Sequence, residues 1–278
     1  MVETLPYTPW RERGSVVDGE FRWRLGARPL DLAEWFEFGP DADGADGWIA
    51  QKPAILADHR DQVFVAPDDV ESECREVAEA ICEHLATHAP ERPGELDPAL
   101  HPLEAASRLV PDDLVVMVER NGRLVFGAGS VCFPNRWDLP SKVGLSMAEV
   151  HTPVARLNDG LETNIDRFLD RLDPDRSFWR LGWGMIDVPG GYAPPRPRDP
   201  VSVDRSTVDS YVRVERETLR RFPRTRCVLF TIRTYISPLA SVLIDPESSA
   251  ALSAAVASMP DDIRSYKDVA HHAPSSRA

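Results

Sequence analysis

Leu114–Phe133 reads LVVMVERNGRLVFGAGSVCF: two runs of aliphatic and β-branched residues divided by Asn121-Gly122. Asn-Gly between apolar runs is a strong two-residue hairpin signal, because both positions tolerate the positive φ that a tight turn requires. Leu114 to Glu119 and Arg123 to Phe133 are therefore expected to be antiparallel strands. Upstream, beyond a proline-rich break at 90–102, Val70, Cys74, Val77, Ile81 and Leu85 recur at spacings of three and four, which predicts a helix from Asp68 or Asp69 to about His88 with an aspartate cap. Downstream, Leu161, Ile165, Phe168 and Leu172 predict an amphipathic helix over Gly160–Leu172, and Phe178–Val188 reads as a strand. The proline- and glycine-rich Val188–Pro200 is expected to be a loop. Thr207–Phe222 fits a helix, Thr225–Ile236 a strand and Pro246–Ser258 a last helix. Residues 1–50 lack a sustained period but carry aromatics, so they read as a packed, wrapping arm, and 270–278 as a frayed tail. Strands mixed with helices give an α+β class.

The chain has 278 residues and 42% apolar content, enough for one domain spanning 1–278 with a substantial core. It lacks an apolar run of membrane-spanning length and a basic-then-apolar leader, so a cytoplasmic protein is expected. The four cysteines, Cys74, Cys82, Cys132 and Cys227, form no CxxC pair and are expected to stay reduced. A formal net charge of −13 argues against nucleic acid or anionic membrane as a partner, since polyanions are held by Lys and Arg. It leaves room for docking on a basic protein face.

Three positions draw attention chemically. If 207–222 is helical, Glu215 falls within the apolar stripe of Val208, Tyr211, Val212, Leu219 and Phe222; a carboxylate there is paired, protonated or used. In the strand that follows, alternation puts Arg233 and Tyr235 on one face with Cys227, Leu229 and Thr231, a fork and a phenol suited to carboxylates or phosphates. Pairing of Arg233 with Glu215 is the plain alternative. His151 follows a short helical stretch, Leu145–Val150, and precedes Thr152-Pro153, which places it at an element boundary. A lone histidine is more often a hydrogen-bonded or surface residue than a ligand, and both readings stand at this point. His84 and His88 share a helical face without a third ligand. The glycines of GAGSVC do not complete a dinucleotide fingerprint, and there is no phosphate-binding P-loop or GxSxG elbow.

Four blocks, GSVCFPNRWDLPSKVG (Gly129–Gly144), VHTPV (Val150–Val154), RLGWGMID (Arg180–Asp187) and VRVERETLRRFPRTRCVLFTIRTYISPL (Val212–Leu239), resemble in order and spacing the haem-dependent oxidative N-demethylase family, whose haem subunit includes the dimethylamine monooxygenase type. The resemblance covers about residues 20–240. It implies a PAS-like antiparallel sheet with flanking helices that holds haem b through a proximal histidine, at the position of His151. It further implies Arg233, with Lys142 and Arg136, as propionate clamps, Trp183 and Asp187 as cavity-lining residues, and Glu215 as the holder of a substrate ammonium or, with Tyr235, part of a proton path. Cys132 and Cys227, the rival thiolate ligands, sit in patterns that read as core packing. Gly182 stands where the family pattern has asparagine, which puts dimethylamine itself in doubt as substrate. The implied activity is amine monooxygenation with O2, N-demethylation passing through a carbinolamine to formaldehyde. Electrons would come from a separate NAD(P)H-dependent reductase carrying FMN and a [2Fe-2S] centre. A non-enzymatic haem sensor or gas-binding protein of the same fold, and a haem-free binding domain, are the alternatives.

Overall fold

The computed structural model describes residues 5–12, 16–17, 20–21, 23–152, 154, 165–195 and 210–269, with 16–17 and 20–21 as backbone only. The expected start of the helix at Gly160, the end of the 188–200 loop and the 270–278 tail lie outside them. Nine strands are present among the described residues. β1 (Val16–Val17) and β2 (Glu20–Phe21) pair with each other. The other seven, β3 (Arg28–Leu30), β4 (Phe64–Val65), β5 (Asp113–Arg120), β6 (Arg123–Ser130), β7 (Ser177–Ile186), β8 (Tyr211–Arg221) and β9 (Val228–Pro238), form one antiparallel sheet in the order β3-β7-β8-β9-β5-β6-β4. The helices are α1 (Pro40–Asp43), α2 (Trp48–Val63), α3 (Glu71–His88), α4 (Pro102–Ser107), α5 (Met147–Val150), α6 (165–170), α7 (Leu239–Leu243), α8 (Pro246–Ala257) and α9 (Asp261–Tyr266). The architecture is α+β with helices flanking the sheet.

The β5–β6 hairpin turns at Asn121-Gly122, both at positive φ (53° and 74°), as the sequence requires. α3 buries Cys74, Val77, Ile81 and Leu85 against one face of the sheet, where they meet Leu114, Val116, Val118 and Leu229. Its start differs from expectation: Asp68 and Asp69 form a 3-10 turn, and the cap position is Val70, without a side-chain bond. The arm is packed, with Trp35 fully buried and Trp10 and Phe36 nearly so.

The larger difference is at Thr207–Phe222. The described part is not helical but a central strand, β8, paired along its length with β7 and β9. Its residues have ladder partners on both sides, and that network of backbone bonds outweighs the weak local spacing of Tyr211, Val212, Leu219 and Phe222.

Between α2, α4 and β5 lies a buried polar knot. Lys52 is fully buried and donates from Nζ to Ser107 O at 2.9 Å and Asp112 O at 2.5 Å. Asp113 accepts from the amides of Cys132 and Phe133 at 2.8 and 3.0 Å, and Asp112 accepts from Thr231 Oγ1 at 3.0 Å. Burial pushes both carboxyls up to about 6, against the pull of Lys52. Folded pKa values above the unfolded ones mean that the folded state keeps protons that the unfolded chain has released. These two groups therefore lower stability as pH rises from about 4 to 6, and contribute no further slope above that. Thermal unfolding of wild type and Asp112→Asn across pH 4–7 checks this: the difference between their midpoints should change through that window and level off beyond it.

Candidate haem site

β6 pairs with β5 along one edge. On the other, Phe126 N donates to Leu145 O at 2.8 Å and Gly144 N to Phe126 O at 2.8 Å, which ties residues 144–146 to the strand. Ser146 then opens α5 with a capping box: Glu149 N donates to its hydroxyl, and its own amide donates to Glu149 Oε2 at 2.8 Å. One helical turn later comes His151, at the C-cap. The short helix is thus fixed at its start, and the imidazole is fixed at its end.

Nδ1 of His151 lies 2.7 Å from Met147 O. A carbonyl only accepts, so Nδ1 carries the proton and Nε2 has the lone pair. Nε2 has no hydrogen-bond partner among the described residues. The ring adjoins an apolar cavity lined by Val115, Met117 and Phe126 of the hairpin, Leu219 of β8, and Val228 and Phe230 of β9. Burial lowers the pKa of His151 to about 4, with the bond to Met147 opposing the shift and the charges of Arg180 and Lys142 adding to it. The imidazole is neutral at physiological pH. A neutral ring with one nitrogen held by a backbone carbonyl, its other nitrogen unbonded among the described residues, is the donor arrangement of a metal-bound histidine. Haem iron needs one such side chain, so His151 and its apolar surroundings suit the iron, beside a cavity of about 50 Å³.

The face of the sheet that meets His151 turns polar beyond Leu219. Alternation places Arg213, Glu215 and Glu217 of β8 on that face with Arg180 and Gly182 of β7. Each carboxylate uses one oxygen on an arginine: Glu215 Oε1 accepts from Arg213 Nε at 2.8 Å, and Glu217 Oε2 from Arg180 Nε. Their second oxygens converge. A Cβ built on Gly182 would stand 3.2 Å from Glu217 Oε1 and 3.4 Å from Glu215 Oε2. Neither oxygen has a hydrogen-bond partner among the described residues. Glu217 is buried, and burial raises its pKa. Arg180 joins the two halves of this face, since its charge reaches His151 while its guanidinium holds Glu217.

Arg233 and Tyr235 alternate with Phe230 and Ile232, so they project from the other face, away from His151. The partner of Arg233 is Asp41, at 2.6 Å from Nη2, rather than Glu215, which opposes Thr234 in the ladder. Tyr235 OH donates to Glu37, as does Tyr7 OH. Arg136 is paired with Asp187, a half-buried ion pair held where residue 135 bridges to Ala193. Lys142 is on the 3-10 turn Pro140–Lys142, where its charge reaches His151. Trp183 lies on the face opposite Gly182 and packs edge-on to Trp10 at 5.8 Å. The structure thus brings Lys142 toward His151 and Glu215 onto the His151 face. It places Arg233, Tyr235 and Trp183 on the far side.

Burial pushes the thiols of Cys132 and Cys227 up to about 12, so neither offers a thiolate at neutral pH. His84 stacks edge-on against Trp35 and Phe36 and is likewise held neutral by burial. Among the described residues no three His, Cys, Asp or Glu side chains are grouped to hold a metal ion, and no helix is long and apolar enough to cross a membrane.

The sequence reading passed over Glu217, Arg180 as a charged partner, and Arg213. Their one signal is the alternation R-x-E-x-E over Arg213–Glu217, visible once the segment is taken as a strand. Residues 89–275, more than half of the chain, match the family described as haem-dependent oxidative N-demethylase, alpha subunit-like. That span starts later and ends later than the 20–240 expected from the four blocks.

Proposed function

The chain belongs to the haem-dependent oxidative N-demethylase, alpha subunit-like family, and from that premise we propose that it binds haem b through His151 and oxidises an amine with O2. The family is one of haem-dependent oxidoreductases, and its alpha-subunit designation suggests a partner protein. The observation that carries the reading is the His151 imidazole, neutral, held at Nδ1 by Met147 O and lining an apolar cavity, with no hydrogen-bond partner for Nε2 among the described residues. The sheet with a helix-borne ligand on one face supports a PAS-like assignment, with residues 1–278 as a single haem-binding domain.

Held by His151, haem would supply the dioxygen-activating redox chemistry that the protein's own side chains lack. The electrons come from a separate NAD(P)H-dependent reductase with FMN and a [2Fe-2S] centre. Lys142 lends positive charge beside His151, suited to a propionate. Glu215 Oε2 and Glu217 Oε1 together hold the substrate ammonium above Gly182, where an asparagine side chain would stand between them. The net reaction takes an N-methyl amine, O2, two electrons and two protons to the carbinolamine and water. Breakage of the carbinolamine C–N bond then releases formaldehyde and the demethylated amine. Arg233 and Tyr235 serve this site indirectly, by holding the arm, and Asp187 does so by holding Arg136.

The test supplies haem-loaded protein with a surrogate reductant, O2 and a panel of secondary and tertiary amines, and measures formaldehyde. Amine-dependent formaldehyde is expected, and Glu215→Gln should lower turnover by roughly 10–100-fold, the loss of a charge-assisted hydrogen bond, while haem stays bound. Peroxide alone, without amine-dependent product, would move the reading to a gas-binding haem protein.

A further inference from the structure

Lys267 follows α9 and closes the free edge of β7. Its carbonyl accepts from Met185 N at 2.9 Å and lies 3.1 Å from where a Cβ on Gly184 would stand, so the glycine admits this backbone. Gly182, two residues earlier on the same face, meets the two glutamates instead. The Lys267 ammonium donates to Trp183 O at 2.5 Å and stands 5.0 Å from the ring of Trp183 and 5.3 Å from that of Trp23. Glu215 and Glu217 of β8 attract it and Arg180 of β7 repels it, and among the described residues it makes no ion pair. It is a resident cation at the sheet edge flanking Gly182–Gly184, within electrostatic reach of the carboxylate pair and held by a carbonyl and two rings.

The charges of the cluster decide what this means. Arg213 with Glu215, and Arg180 with Glu217, are each neutral pairs, so Lys267 leaves the group at one positive charge. A substrate ammonium entering above Gly182 would raise it to two within a partly buried cluster, whose arginine and glutamate side chains are 2–23% exposed. We propose that Lys267 gives up its Nζ proton to solvent when the amine binds, which makes it a positioning residue that sets amine affinity and couples uptake to release of one proton. This rests on Glu215 and Glu217 being the ammonium site. Burial already lowers Lys267 to about 8, so neutralising it near pH 7 is inexpensive. The neutral amine keeps N–H groups for Trp183 O.

Calorimetric titration of the haem-loaded protein with a panel of N-methylated ammonium chlorides (dimethyl-, trimethyl- and benzylmethylammonium), from pH 6 to 9 in buffers of different ionisation enthalpy, tests the coupling. Wild type should bind about tenfold more tightly per pH unit up to about pH 8, then level off, and at pH 7 release about one proton per amine. Lys267→Met should bind without that slope or proton release, and more tightly than wild type at pH 6. Lys267→Arg, permanently charged, should also lose the slope but bind at least tenfold more weakly than wild type at pH 8. Opposite affinity changes in the two variants are not what mere structural damage produces. Wild-type slope and proton release retained in both variants would overturn the proposal while leaving the ammonium site intact. Binding that Glu215→Gln and Glu217→Gln leave unchanged, or no amine binding by wild type, would overturn the site and the coupling together.

Discussion

His151→Ala protein reconstituted with haemin is expected to lack the intense Soret absorption of the wild type, with haem affinity reduced by at least about 100-fold. The basis is local. Haem iron held by one histidine loses its protein bond when the imidazole is removed, leaving only apolar contacts and charges to retain the macrocycle. The fold should survive, because the side chain's only described hydrogen bond is to Met147 O at 2.7 Å, a contact of about 1 kcal/mol. α5 keeps its capping box. Far-ultraviolet circular dichroism should match the wild type, and free imidazole added to the alanine variant should restore part of the Soret band by entering the space left behind. An unchanged band in His151→Ala would place the iron ligand elsewhere, and absence of a band in the wild type would sink the haem reading altogether.

Arg216→Ala should be the most destabilising of these substitutions, by about 3–5 kcal/mol, the cost of breaking a buried charged network from one side. Arg216 is 2% exposed at the centre of β8. Nη1 donates to Trp35 O at 3.0 Å and Nη2 to Glu34 O at 2.7 Å, while Nε stands 3.0 Å from Glu37 Oε1 without hydrogen-bond alignment. Its removal strands two carbonyls and takes from Glu37 the cation that balances the carboxylate to which Tyr7 and Tyr235 also donate. A fall in thermal midpoint of roughly 6–15 °C follows from the usual scaling for a protein of this size. A fall under about 2 °C would show that water replaces the guanidinium there. The contrast with His151→Ala is the useful part, since one variant loses haem and keeps its fold while the other loses stability.

The hairpin at Asn121-Gly122, α3 and the boundary position of His151 were legible because each rests on short-range chemistry: a turn that needs positive φ, a spacing of three and four, a helix stop. β8 was not. Alternation is the mark of a strand, but here Val212, Val214 and Arg216 share one face while Arg213, Glu215 and Glu217 share the other, and charge is buried on both. Without an apolar side and a polar side, period two disappears from a hydropathy reading, and Tyr211, Val212, Leu219 and Phe222 fit a helix by coincidence of spacing. Once the element was misread, its partners were lost. The convergence of Glu215 and Glu217 over Gly182 depends on the β7–β8 register, and the true partner of Arg233, Asp41, lies 192 residues away in sequence. The four blocks pointed to the family without giving the sides of the sheet.

The arm that supplies Glu34, Trp35, Glu37 and Asp41 is made before the arginines it satisfies, which follow 181 to 196 residues later for the bonds to Arg216 and Arg233. During synthesis the beginning of the chain must remain without its final partners until β8 and β9 have emerged. Closing such long loops is entropically slow. A nascent or refolding molecule therefore passes through a state in which the hairpin and α3 can already be in place while the middle of the sheet still carries uncompensated positive charge.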